Sequence, residues 1–81
     1  MEPGEALVIP RARQVHTLGM GYAIDVIFCD PKWNVRHVIH VMQPGRISKW
    51  VRGAYFAIEL AGGRAGDVVP GDRISYSLSD R

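Results

Sequence analysis

Between Tyr22 and Cys29 every residue but one is apolar, and the exception is Asp25. Tyr22, Ile24, Val26 and Phe28 alternate with Ala23, Asp25, Ile27 and Cys29. That period of two gathers β-branched and aromatic side chains on one face of a predicted strand. Asp30-Pro31-Lys32-Trp33-Asn34 then reads as a turn. The aspartate can accept from the backbone ahead of it, Pro31 presets φ at the first corner, and Asn34 tolerates a left-handed conformation. Val35 to Met42 resumes the alternation, with Val35, His37, Ile39 and Val41 on one face and Arg36, Val38, His40 and Met42 on the other. The two runs predict a hairpin.

The rest of the chain repeats this theme more weakly. Gln43-Pro44-Gly45 breaks the second strand, and Arg46 to Gly53 fits neither strand nor helix clearly. Ala54 to Leu60 returns to strand character, with Ala54, Phe56, Ile58 and Leu60 on one side and Glu59 the lone charge. Ala61 to Gly66 is a glycine-rich loop in which even one helical turn is poorly supported. Pro70-Gly71-Asp72 turns into a final predicted strand, Arg73 to Leu78, with Ile74, Tyr76 and Leu78 inward. Ala6 to Ile9 and Ala12 to His16 are short strand candidates on either side of Pro10. Short strands separated by turn signals predict an all-β, mainly antiparallel fold. The expected architecture is a small partly closed barrel or two-layer sandwich with at most one short helix.

Composition limits the function classes. With 81 residues and 9.0 kDa the chain has room for one domain, spanning residues 1–81 with its core at about 6–78. A hydrophobic share of 47% against 22% charged is globular and argues against disorder. A net charge of +2 is too small to imply a nucleic-acid or membrane partner. A single cysteine cannot form an internal disulfide. Neither a basic leader with an apolar core nor an 18-residue apolar stretch is present, so the expected location is cytoplasmic, with export requiring an upstream leader.

Asp25 has two readings. In one, its carboxylate accepts from backbone N–H groups of the nearby Thr17-to-Gly21 loop and pins that loop to the sheet, each charge-assisted bond worth about 1.5–3 kcal/mol. In the other it is a general base or ligand, with His16 across the loop. Metal binding is not expected, since His37 and His40 are three apart on a strand and point to opposite faces. Cys29 sits in apolar surroundings where a thiol is inert, no serine occupies a nucleophile elbow, and the glycines do not form a phosphate loop. No cofactor is expected. Arg46, Lys49 and Arg52 with Trp50 between them could contact a polyanion, or could be a solvated connection whose Trp50 folds over one end of the core. Trp33 at the hairpin tip, with Tyr22, Trp50 and Tyr55, could form an aromatic platform for a sugar ring or a partner's side chain.

The run Val15-His16-Thr17-Leu18-Gly19-Met20, followed after Gly21 by Tyr22 to Asp30, resembles the signature of domain-of-unknown-function family 192. Ile58-Glu59-Leu60-Ala61-Gly62 is similar to that family's second block, and Val69-Pro70-Gly71-Asp72-Arg73 to its third, in the same order from about Ala6 to Tyr76. The resemblance implies a compact, mostly β, barrel-like fold with little helix, and no established reaction, ligand or cofactor. Relative to the family pattern, an N-terminal Gly-Leu-Met-type block and a signal peptide are missing. Asn34 stands where a turn glycine is usual, and Gly63 and Gly66 thin the helix that relatives place after the Glu-Leu block. A missing strand would leave a sheet edge open to pairing with a second copy.

These features predict a non-catalytic binding or accessory module. Its candidate binding residues are His16, Met20, Tyr22, Asp25, Trp33, Arg46 and Trp50, drawn from the Thr17-to-Gly21 loop, the hairpin tip and the Arg46-to-Arg52 segment. The expected ligand is a small molecule, a saccharide being one option, or a protein partner, with the chain a monomer or a weak homodimer through an open edge. The alternatives are a small enzyme using Asp25 and His16 in acid–base chemistry, and a structural homodimer.

Overall fold

The computed structural model describes residues 5–75, and in it four strands form one antiparallel sheet. They are β1 (Ala6–Pro10), β2 (Ile24–Cys29), β3 (Val35–Met42) and β4 (Phe56–Ala61), in the spatial order β1-β4-β2-β3. The all-β antiparallel class is the one expected. The sheet is open, not closed into a barrel, and no helix occurs among the described residues. Strand β2 runs beside β4 and β3 with all six residues buried, which is why its sequence is apolar on both faces.

One face carries Ile24, Val26, Phe28, Met42 and Ala57, with Ile9, Met20 and Ile39 packed against them. Phe28, Ile24 and Val26 are wholly enclosed, each burial worth about 1.5–3 kcal/mol. Residues 11–17 and 45–55 cover this face as an irregular ribbon. Its rungs include Thr17 N–H to the Arg46 carbonyl (2.8 Å), Ser48 N–H to Val15 (2.8 Å) and Val51 N–H to Arg13 (2.7 Å). The strand expected at Ala12 to His16 is therefore absent, reduced to one bridge between His16 and Ile47. Side-chain oxygens replace ladder acceptors there: Ser48 Oγ accepts from Val15 N–H (3.0 Å) and Thr17 Oγ1 from Arg46 N–H (2.9 Å).

The other face carries Ile27, Cys29, Val35, Ile58 and Ala65, joined by Trp33, Phe56, Leu60 and Ile74. Segment 71–74 lies along the start of β3, with Val35 N–H bonded to the Asp72 carbonyl (2.7 Å) and Ile74 N–H to Trp33 (2.9 Å). Of the predicted last strand, Arg73 forms a bridge with Asn34, while residues 76–78 lie outside the described residues.

Two register shifts in β3 change which side chains share a face. Ile24 pairs with Met42 but Val26 with Ile39, and Phe28 pairs with His37 but Cys29 with Val35. Each shift inserts one extra residue into β3 and inverts its alternation. Ile39 and Met42 thus meet the first core, and Val35 and Val38 the second, correcting the face assignment drawn from strict alternation. Val41, in the bulge opposite Asp25, has φ 51° and is 48% exposed. For a β-branched residue that is an outlier.

The hairpin turn is built on Asp30, whose carboxylate accepts from Lys32 N–H (2.9 Å), Asn34 N–H (2.9 Å) and the Asn34 amide (3.1 Å). The left-handed position falls on Trp33, at φ 69°, and not on Asn34 as the turn chemistry suggested. That backbone twist turns the indole back onto the sheet, where it stacks on Phe56 at 4.0 Å and 8°.

Candidate functional site

Asp25 is completely buried, and its carboxylate is fully engaged. Oδ1 accepts from Val41 N–H (2.8 Å) and Gly63 N–H (3.0 Å), and Oδ2 from Ala65 N–H (2.8 Å). The clasp joins three segments: the centre of β2, the β3 bulge and the glycine-rich loop after β4. Gly63, at φ 88°, supplies the left-handed step in that loop. Burial pushes the Asp25 carboxyl up, but the three amides and His40, whose Nδ1 lies 4.0 Å from Oδ2, outweigh it and hold the group below the usual range. The donors are not the Thr17-to-Gly21 loop, which is tied down by Thr17 Oγ1 donating to the Gln43 carbonyl (2.7 Å). His16 lies over the opposite face of the sheet, so Asp25 and His16 do not form a pair.

Glu59 is the second buried acid, noted in the sequence as the lone charge of its run but not counted among the site residues. It sits on β4 opposite Leu7 and Val26, on the other face from Asp25, and is 4% exposed. The carboxylate has no hydrogen bond or ion pair among the described residues. Among the described residues no fully enclosed polar side-chain atom lacks a partner, so the Glu59 carboxylate meets solvent. It does so at the floor of two adjoining depressions of about 340 and 300 Å³. Leu7, Met20 and Tyr22 wall the first; Ile9, Gln14 and His16 wall the second. Burial raises the Glu59 carboxyl above its ordinary range, with His16 drawing it partly back. The fold thus brings three predicted site residues to the surroundings of Glu59, Met20 and Tyr22 in one depression and His16 in the other. The signal for Glu59 was in the sequence: one charge inside an apolar strand, the same misfit that singled out Asp25.

The remaining predicted residues are elsewhere. Arg46 lies at the end of the covering ribbon and bonds Thr17 through its backbone. Trp50 is 62% exposed, so it does not fold over an end of the core. The four-ring platform does not assemble among the described residues: Trp33 and Tyr55 flank Phe56, at 4.0 and 4.8 Å, while Tyr22 lines the Glu59 cleft and Trp50 makes no ring contact with a described residue. Lys49 and Arg52 instead share a shallow cleft of about 590 Å³ with Arg36 and His37 of β3. Among the described residues no three His, Cys, Asp or Glu side chains cluster as a metal site would require. Cys29 is buried, and burial with the nearby Asp30 pushes its thiol up to about 11, so it supplies no nucleophile at neutral pH.

No helix among the described residues is long and apolar enough to cross a membrane. Comparison with curated proteins and with solved structures returns no match. A family profile does match, over residues 1–76, and it covers all three sequence blocks, the Asp25 clasp and the Glu59 cleft. The chain therefore belongs to domain-of-unknown-function family 192, described as "Uncharacterized ACR".

Proposed function

We propose that this protein is a non-catalytic binding module whose ligand seats in the cleft floored by Glu59. The observation that carries this reading is a carboxylate that is largely buried, reaches solvent only through the cleft, and takes no hydrogen bond from any described residue. Such a group destabilises a fold by about 1–3 kcal/mol, a burden that a ligand supplying the missing donor removes. The walls set the rest of the ligand's character. Leu7, Ile9 and Met20 favour hydrocarbon, and the half-exposed Tyr22 offers an aromatic face. A small molecule with hydroxyl or ammonium donors on a hydrocarbon body satisfies both. A sugar ring is one such shape, its C–H face on Tyr22 and a hydroxyl donating to Glu59.

Titration of the 15N-labelled protein with a panel of monosaccharides, disaccharides and alkylammonium ions tests this. Saturable shifts are expected at the amides of Leu7, Met20, Tyr22 and Glu59, lost in Glu59→Gln. A response that survives Glu59→Gln unchanged, or spares these amides, defeats the reading. The competing class, acid–base catalysis, transfers from Asp25 to Glu59, because a carboxyl with a raised pKa beside an imidazole in an open cleft is a proton-transfer pair. Turnover of a bound compound, lost in both Glu59→Gln and His16→Ala, would favour it.

A further inference from the structure

A second cleft carries the opposite charge. Arg36 and His37 from β3 meet Lys49 and Arg52 from the covering ribbon, with Pro70 and Gly71 closing one side. Among the described residues, none of Arg36, Lys49 and Arg52 has a carboxylate within 4.0 Å or a side-chain hydrogen bond. Asp30 borders the same cleft, but its oxygens are occupied by Lys32 and Asn34 within the hairpin turn. The ribbon that presents Lys49 and Arg52 is anchored between them and beside them. Val51 is buried and bonded through N–H to Arg13, and Ser48 Oγ accepts from Val15 and donates to the Lys49 carbonyl (2.8 Å). The Arg36 guanidinium lies against Gly53, where an added Cβ would stand 3.0 Å from Nη2. Gly53, at φ 81°, therefore both permits the turn and leaves the guanidinium its place. Asp30, which feels the Arg36 charge, is the one carboxylate among the described residues lining the cleft, so three cations face a single counter-charge and a further anion is favoured among them. The field is felt locally: burial, then Lys49, lowers the pKa of His37.

We propose that this cleft binds a single phosphoryl group carried on a small molecule, with Arg36, Lys49 and Arg52 donating to its oxygens. The footprint of four basic side chains fits one tetrahedral oxyanion, and guanidinium forks match phosphate oxygens in pairs. The site is independent of the Glu59 cleft, and its test reads different amides. The full chain is titrated with glycerol phosphate and with inorganic phosphate, each against sodium chloride at matched ionic strength. Saturable shifts are expected at Arg36, His37, Lys49 to Gly53 and Gly71. A response to glycerol phosphate alone assigns an ester, and a response to both assigns the phosphoryl group itself. Arg36→Gln, Lys49→Gln and Arg52→Gln, all at exposed positions, should each weaken binding about three- to tenfold with an unchanged melting temperature. Gly53→Ala removes no charge yet should weaken binding by displacing the Arg36 head. Shifts that grow linearly and equally with chloride would overturn the proposal, as would full affinity in Arg36→Gln. So would tighter, steeply salt-dependent binding of a single-stranded octanucleotide, which would make the ligand a strand.

Discussion

Asp25 and Glu59 are two buried acids on neighbouring strands, one on each face of the sheet, and their surroundings are opposite. Asp25 lies beneath a glycine-rich loop whose amides turn inward, and every approach to it is closed by the groups that satisfy it. Glu59 lies beneath side chains, Met20 and His16 among them, that offer its carboxylate no hydrogen bond. The comparison teaches that burial alone does not mark a site. What separates a structural carboxylate from a candidate ligand group is where its hydrogen bonds go.

The contrast breaks most visibly at Asp25. Asp25→Ala orphans three amides and should lower stability by about 3–5 kcal/mol. For a domain of this size that is a fall in melting temperature of about 15 °C or more. A variant that melts within a few degrees of the parent in calorimetry would show that the clasp is incidental. Glu59→Gln should move the other way, gaining about 1 kcal/mol in urea unfolding because a desolvated charge is removed, while cleft binding is lost. A loss of stability of similar size would instead mean that Glu59 has a structural partner.

Val41→Asn sharpens the same picture. Asparagine accepts the left-handed bulge position that valine occupies under strain, so a gain of about 0.5–1 kcal/mol is expected. Destabilisation in the same assay would indicate that the exposed valine packs on something. The finest discrimination is in pH. Folded Asp25 holds its proton less tightly than the unfolded carboxyl. Its contribution is thus complete above the ordinary value of 3.8 and is lost as the pH falls through the lowered folded value. Glu59 holds its proton more tightly when folded. Stability on its account is greatest below 4.5 and declines as the pH climbs through the raised value. Chemical denaturation at stepped pH should show that decline in the parent and not in Glu59→Gln. Reading the difference between the two cancels Asp30, whose carboxyl is lowered like that of Asp25, and His37, which burial and then Lys49 lower from its ordinary value.

Much of the sheet was legible because local rules decided it. The Asp30-to-Asn34 turn and the apolar runs beside it specify the β2–β3 hairpin within one short stretch. What escaped depends on distant residues. Trp33 and not Asn34 takes the left-handed turn position, with Phe56 there to receive the indole, and turn statistics alone contain no such partner. The misfit of Asp25 was plain, but its donors lie 16, 38 and 40 residues further on, where no local pattern points. The bulges at β3 insert single residues without a glycine or proline to announce them, so alternation misassigned Val35 and Met42. The basic cleft needed the fold to bring Arg36 beside Lys49 and Arg52. Glu59 alone required no tertiary knowledge, only that the criterion used for Asp25 be applied to every strand.

The bulge at Val41 has a consequence beyond local strain. Strand β3 is the last in the sheet, and a flat outer rim there would invite another polypeptide to add itself in register. The kink works against this, because the Val41 amide is turned inward to Asp25 and is not offered to a newcomer. By holding that amide, the carboxylate in the middle of the molecule leaves the rim one donor fewer for such pairing. Its removal should yield a protein that clumps as well as one that melts early.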